Sequence, residues 1–222
     1  MNKKILVALQ PSFIPWRGYF DLIEKSDKFI FYDHVQYDKN GWRNRNKILI
    51  NNKAHWITVP VVHKNLDKPL KDVEIFDLEY SLEKVIKTIS QNYIKHPSYS
   101  LFFHVLENIF KKKPKLLVDL NIDIIISICD YMGIKIDQTR SSKLANVKDK
   151  NMNLINLCKK YDCNQYLSGN LAKSYINENI FSDNGIEVLW HEFEESSYQH
   201  HKMDQKIFFE KLSIIDYLFN IK

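Results

Sequence analysis

Between Gln10 and Asn46 the chain gathers side chains that rarely serve structure alone: Gln10, Trp16, Arg17 and Tyr19, then Asp33, His34, Gln36, Tyr37 and Lys39, then Trp42, Arg43, Asn44 and Arg45. Guanidinium forks pair with phosphate or carboxylate, and a flat indole beside them suits a base or a sugar face. The tract therefore predicts a phosphorylated or nucleotide-linked ligand. A solvated hairpin edge, charged to discourage strand addition, would explain the arginines. It leaves the surrounding Asp, Gln, Tyr and Trp unexplained. Asp33, His34, Gln36 and Lys39 are the candidate catalytic residues, with Asp33 or His34 as proton acceptor and Gln36, Asn44 or backbone amides as oxyanion donors.

Those residues need elements to hold them. Residues 3–9 read as a buried strand, Pro11 to Pro15 as a loop, Trp16 to Lys25 as a short helix, and Phe29 to Tyr32 as a second strand. This order opens a parallel βαβ unit, and ligands of open α/β sheets bind beyond the carboxyl ends of the strands. Gln10 and Asp33 both sit at such ends. A hairpin follows, with Lys47 to Ile50 and His55 to Val62 joined at Asn51-Asn52-Lys53. Residues 72–77 read as a strand, and Ser81 to about Tyr131 as three helices broken at Pro97 and Pro114. Further on, 151–161 reads as a helix, Gln165 to Leu167 as a strand, Lys173 to Asn177 as a helix, Glu187 to Trp190 as a strand, and Phe208 to Phe219 as a closing amphipathic helix. The expected fold is α/β, a Rossmann-like, nucleotidyltransferase-like, mostly parallel sheet. One domain over 1–222 carries an inserted β-hairpin region at about 44–77 and a helical segment at about 81–135.

Composition limits the function classes. Of 222 residues, 45% are hydrophobic and 27% charged, as in ordinary globular proteins, and the net charge is +5. Much of the excess lies in Lys111-Lys112-Lys113 and Lys115 at a predicted helix end, where lysines complement the helix dipole. No nucleic-acid partner is expected. No apolar run reaches the roughly 18 residues of a membrane helix. The apolar start, Ile5 to Leu9, is too short for a signal peptide and stops at Gln10-Pro11. Cys129, Cys158 and Cys163 lack paired metal spacing and read as reduced thiols. A cytoplasmic protein is the expectation, with its oligomeric state left open.

Later positions add weaker signals. Ser168-Gly169, between a strand and a helix, would set backbone N–H groups against a phosphate or form an ordinary turn. His191 again follows a strand. His200-His201 with Asp204 and Glu210 fails as a metal site, because adjacent helical residues point about 100° apart. No metal is expected, and no P-loop or dinucleotide fingerprint is present.

The runs Gln10-Pro11-Ser12-Phe13-Ile14-Pro15-Trp16-Arg17-Gly18-Tyr19-Phe20, Tyr32-Asp33-His34-Val35-Gln36-Tyr37-Asp38-Lys39 and Gly41-Trp42-Arg43-Asn44-Arg45-Asn46 resemble the WbqC-like proteins. So do Tyr166-Leu167-Ser168-Gly169, Tyr198-Gln199 and Leu212 to Asp216 with Phe219-Asn220. The resemblance implies an enzyme of surface-polysaccharide (O-antigen or lipopolysaccharide) biosynthesis, a transferase acylating or aminoacylating the amine of a nucleotide-linked amino sugar. It also brings Tyr198 and Gln199 into the expected substrate site. The donor implied by such chemistry is a thioester of coenzyme A or of an acyl carrier protein, with no tightly bound cofactor. Residues 13–19 also occupy the place of the Phe-x-Pro and His-x-Gly-His loop of adenylyl-transferring nucleotidyltransferases, without either histidine. An ATP-dependent ligase using Arg17, Lys39 and Arg45 on phosphates, or a non-catalytic binding protein of the same pathway, therefore stays open.

Overall fold

The computed structural model describes residues 3–65, 67–201 and 209–221. Seven strands and seven α-helices are found among them. Strand β1 (Ile5–Leu9) leads through a loop to helix α1 (Arg17–Glu24) and strand β2 (Lys28–Phe31). A hairpin, β3 (Arg45–Ile50) with β4 (Lys53–Thr58), precedes three helices: α2 (Leu78–Tyr93), α3 (Tyr99–Lys111) and α4 (Leu117–Met132). The chain closes with β5 (Gln138–Arg140), α5 (Lys150–Lys160), β6 (Gln165–Gly169), α6 (Glu178–Asp183), β7 (Glu187–His191) and α7 (Ile214–Asn220).

Five strands form one parallel sheet in the order β5-β2-β1-β6-β7, and β3-β4 stand apart as an antiparallel pair. Alternation along β1 explains why both faces are covered. Val7 packs with Phe29, Phe31, α1, the three central helices and α7 in the larger core, whereas Leu6 joins Ile30, Tyr166 and residues of α5 and α6 in a second core. The α/β expectation with a mostly parallel sheet, a hairpin and a helical block holds. From β1 the chain runs outward through β2 to β5, then returns to place β6 on the other side of β1. The order reverses between β1 and β6, the position where doubly wound sheets open a crevice at their carboxyl ends.

The hairpin turn follows its sequence: Asn51 and Asn52 have φ of 48° and 63°, the left-handed pair a two-residue loop needs. Three expected elements differ. Residues 72–77 make a one-turn 3-10 helix at Leu70–Asp72 and isolated bridges, Val61 to Ile75 and Glu74 to Leu116. The extended stretch is bonded alternately to two neighbours, Pro60 and Val62 on one side and Lys115 and Leu117 on the other, so no continuous ladder forms. The expected Lys173–Asn177 helix is split: a 3-10 helix runs over Asn170–Ser174, and the α-helix starts only after Asn177, which caps α6 by accepting from the Asn179 N–H. The closing helix is shorter than expected: Phe208 lies outside the described residues, 209–213 are turn and irregular chain with Lys211 at φ 59°, and α7 begins only at Ile214.

Candidate functional site

The β1–α1 loop carries Gln10 to Trp16 and is held by the hairpin and α7. Ile14 sits at φ 40°, a conformation that costs a β-branched residue about 1–3 kcal/mol. Its surroundings over-determine it. Asn46 Nδ2 donates to the Phe13 and Ile14 carbonyls at 3.1 and 2.6 Å, Ser213 Oγ to the Ile14 carbonyl at 2.9 Å, and the Ile214 N–H to the Pro15 carbonyl at 2.9 Å. The fixed loop presents the Gln10 carbonyl and Ser12 Oγ to Arg43, whose Nη1 donates to them at 3.1 and 2.6 Å. The Tyr19 hydroxyl also donates to the Gln10 carbonyl, at 3.3 Å. From α4, buried Asn121 donates to the Pro11 and Arg43 carbonyls at 3.2 and 2.7 Å and locks loop and hairpin together.

Arg43 is therefore oriented but not neutralised. Among the described residues no carboxylate comes within salt-bridge distance of it, and its Nε is buried without a partner. Burial pulls its pKa down, opposed by the neighbouring Tyr19, Asp38 and Tyr37. A partly desolvated guanidinium of this kind favours an anion that reaches it.

At the end of β2 the two candidate bases differ. The Asp33 carboxylate is fully buried and accepts from Arg140 Nε (2.7 Å), Ser141 Oγ (3.1 Å), the Ser142 N–H (2.8 Å) and Ser142 Oγ (2.8 Å). Arg140 also reaches Asp119 on α4 at 2.7 Å, and its pKa is raised because these two carboxylates outweigh burial. Asp33 thus ties β2 to β5 and to the helical block. His34 is half-buried, with Nδ1 2.8 Å from Ser141 Oγ. Ser141 Oγ also accepts from the Asp33 N–H at 2.9 Å, and when its single proton goes to the Asp33 carboxylate, the oxygen accepts from His34 Nδ1–H. Nε2 then carries the lone pair. Burial, only partly offset by Asp33, lowers the His34 pKa below 6.5 and keeps the ring neutral.

Gln36, Tyr37 and Lys39 come together in an open groove of 530 Å³, with Asp38 and three residues the sequence did not single out, His63, Lys64 and Asp67. Asp33, Trp42, Arg43 and Arg45 do not line it. Trp42 and Arg45 instead meet Trp56 of β4, at 5.0 Å between ring centroids and 4.4 Å from guanidinium to ring, while Arg45 donates to the Asn40 carbonyl. Asn44 is an unsuitable oxyanion donor, because its amide is bonded to the Val59 carbonyl at 3.0 Å.

The remaining expected residues gather on the other side of β1. His191 pairs in register with Gly169, and its Nε2 lies 2.5 Å from Asp21 of α1. Burial raises the Asp21 pKa, but bonds from Lys25 and His191 outweigh it and leave the carboxyl below its usual value. Trp16 packs edge-on against Phe193 at 5.4 Å, and Ser168 is buried. Arg17 does not face a ligand. Its Nε meets Glu195 at 3.1 Å, its Nη2 donates to the Ser196 carbonyl at 2.5 Å, and its guanidinium stacks on Tyr198 and Tyr217. Tyr198 donates to Asp216 at 2.5 Å, and Gln199 Nε2 donates to the His200 carbonyl at 3.4 Å. These residues strap the segment after β7 across α1, a contact between sequence-distant residues that local patterning does not reveal.

The described residues hold no group of three or more His, Cys, Asp or Glu side chains able to take a metal, and Asp204 lies outside them. The three thiols are free and buried, and burial raises Cys129 and Cys158 to about 12, which makes them poor nucleophiles. No helix among the described residues is long and apolar enough to cross a membrane.

The model of the WbqC-like protein family matches residues 10–222, which includes every site described above. The chain belongs to the WbqC-like family. An uncharacterized protein of Mycobacterium tuberculosis, Rv1507c, is 34% identical over 227 aligned residues, covering 99% of this chain and 94% of the relative. No solved structure matches the chain. The WbqC-like tract 10–46 thus supplies Arg43, His34 and, with Gln36 to Lys39, part of the groove lining.

Proposed function

We propose that this WbqC-like protein is a transferase of surface-polysaccharide biosynthesis that acylates or aminoacylates the amine of a nucleotide-linked amino sugar, with a coenzyme A or carrier-protein thioester as donor. The observation that carries the reading is Arg43: a desolvated guanidinium without a carboxylate partner among the described residues, fixed on the Gln10 carbonyl at the end of β1. It takes the diphosphate, with Arg45 beside it. His34 Nε2 accepts the amine proton as nitrogen attacks the thioester carbonyl carbon. The C–N bond forms, the C–S bond breaks, and the departing thiolate takes up the proton that His34 carries. Gln36 is the side-chain donor left for the developing oxyanion, since Asn44 is committed to Val59. The ligase alternative loses its first phosphate contact, because Arg17 is engaged by Glu195 and Ser196.

A melting-temperature screen against nucleotide-linked amino sugars, ATP and acyl thioesters tests the reading. At a hundred times its Kd, a true ligand stabilises the fold by about 2.7 kcal/mol. A nucleotide-linked amino sugar is expected to give that shift in the wild type and to lose it in Arg43→Met, which keeps the stem's packing. A shift from ATP alone would replace the transferase by a ligase.

A further inference from the structure

The 530 Å³ groove has a lining that fits a particular ligand part. On one wall stand Gln36, Tyr37, Asp38 and Lys39, and on the other His63, Lys64 and Asp67. Both donors and acceptors line it, as a ring bearing several hydroxyl groups requires, since every hydroxyl both donates and accepts. A bare phosphate would leave Asp38 and Asp67 facing like charge. Neither carboxylate has an ion-pair partner among the described residues, so each is available to a hydroxyl or an ammonium group. Lys39 and Lys64 have none either, and they balance the two acids without filling the space.

The groove also abuts the anion anchor. Tyr37 and Asp38 lie within electrostatic reach of Arg43, Tyr37 is likewise within reach of Arg45, and Arg45 donates to the Asn40 carbonyl just beyond Lys39. Burial pushes the Tyr37 hydroxyl up to about 12, so it remains a neutral donor. Gly41 shapes this wall. A Cβ there would stand 2.0 Å from Asp38 Oδ2, so only glycine lets the Asp38 carboxylate rest where it does.

We infer that this groove is the glycosyl subsite, holding an amine-bearing, polyhydroxylated ring between Asp38 and Asp67 while the phosphate attached to it reaches Arg43. The inference rests on the proposed binding of a nucleotide-linked sugar and adds the position and chemistry of its sugar.

Nitrogen-detected NMR titration separates the two. With inorganic phosphate and with glucosamine 1-phosphate as probes, the Arg43 Nε resonance reports the anion, and the Lys39 and Asp67 amides report the ring. Glucosamine 1-phosphate should bind about tenfold more tightly than phosphate and move both sets of signals. Asp67→Asn should shrink that preference about threefold or more without weakening phosphate binding, since it removes a like charge. Equal affinities of the two probes, or a preference untouched by Asp67→Asn, would overturn the glycosyl subsite while the Arg43 signal still upholds the anchor. An Arg43 signal that moves with neither probe would overturn the underlying reading, and the subsite with it.

Discussion

Two residues adjacent in sequence, Asp33 and His34, are candidates for the same task, yet their environments divide them. A carboxylate accepting four hydrogen bonds, one of them an ion pair, is a structural tie, and truncating such a buried partner typically costs about 3–5 kcal/mol. In the proposed reaction His34 works through Nε2, because Ser141 Oγ holds Nδ1. Nitrogen chemical shifts of the His34 ring should show the Nδ1–H tautomer at neutral pH and titration below 6.5. An Nε2–H tautomer would remove it as the base. The same shift has a stability consequence with a definite sign. The native ring resists a proton that the unfolded chain accepts near 6.5, so its contribution is complete above that pH and is lost as pH falls through the lower native pKa. The sequence exposed His34 by its place after a strand. It did not expose Ser141, whose role depends on β5 lying beside β2.

At the scale of elements, the β1–α1 loop depends on segments far away in sequence. Asn46 on β3 donates to two of its carbonyls, and the start of α7 supplies two further bonds. Replacing Asn46 by Ala leaves these buried carbonyls short of donors around a strained Ile14, and about 2–4 kcal/mol of stability should be lost. Chemical denaturation checks this; a loss below about 1 kcal/mol would mean that the loop holds itself. Sequence patterning located β1, β2, the hairpin and the three central helices, where apolar periodicity and turn residues agree. It missed β5, since Gln138-Thr139-Arg140 is short and polar, and a polar edge strand has no hydrophobic alternation to read. The segment at 72–77 misled for the opposite reason: Val73 and Ile75 alternate as a strand would, but the chain there bonds two different neighbours in turn.

Over the whole molecule, the parallel sheet reverses its order beside β1, and both cores meet there on opposite faces. The polar tract that stood out in the sequence is distributed around this position in separate parts. Arg43 meets the end of β1 and His34 follows that of β2, the groove is lined from Gln36 to Lys39 and by His63, Lys64 and Asp67, and Arg17 straps the far side. Residue types alone singled the tract out, because arginine, histidine and aspartate are costly to bury without a purpose. They did not mark out the structural ties Asp33, Asn44 and Arg17, since those depend on contacts made across the sheet. The central claim is that Arg43 is an anion anchor, and calorimetric titration with inorganic pyrophosphate at low salt tests it most directly. Saturable binding by the wild type, weakened about tenfold or more in an equally stable Arg43→Met protein, is the predicted result. Equal affinity in the two proteins would contradict it.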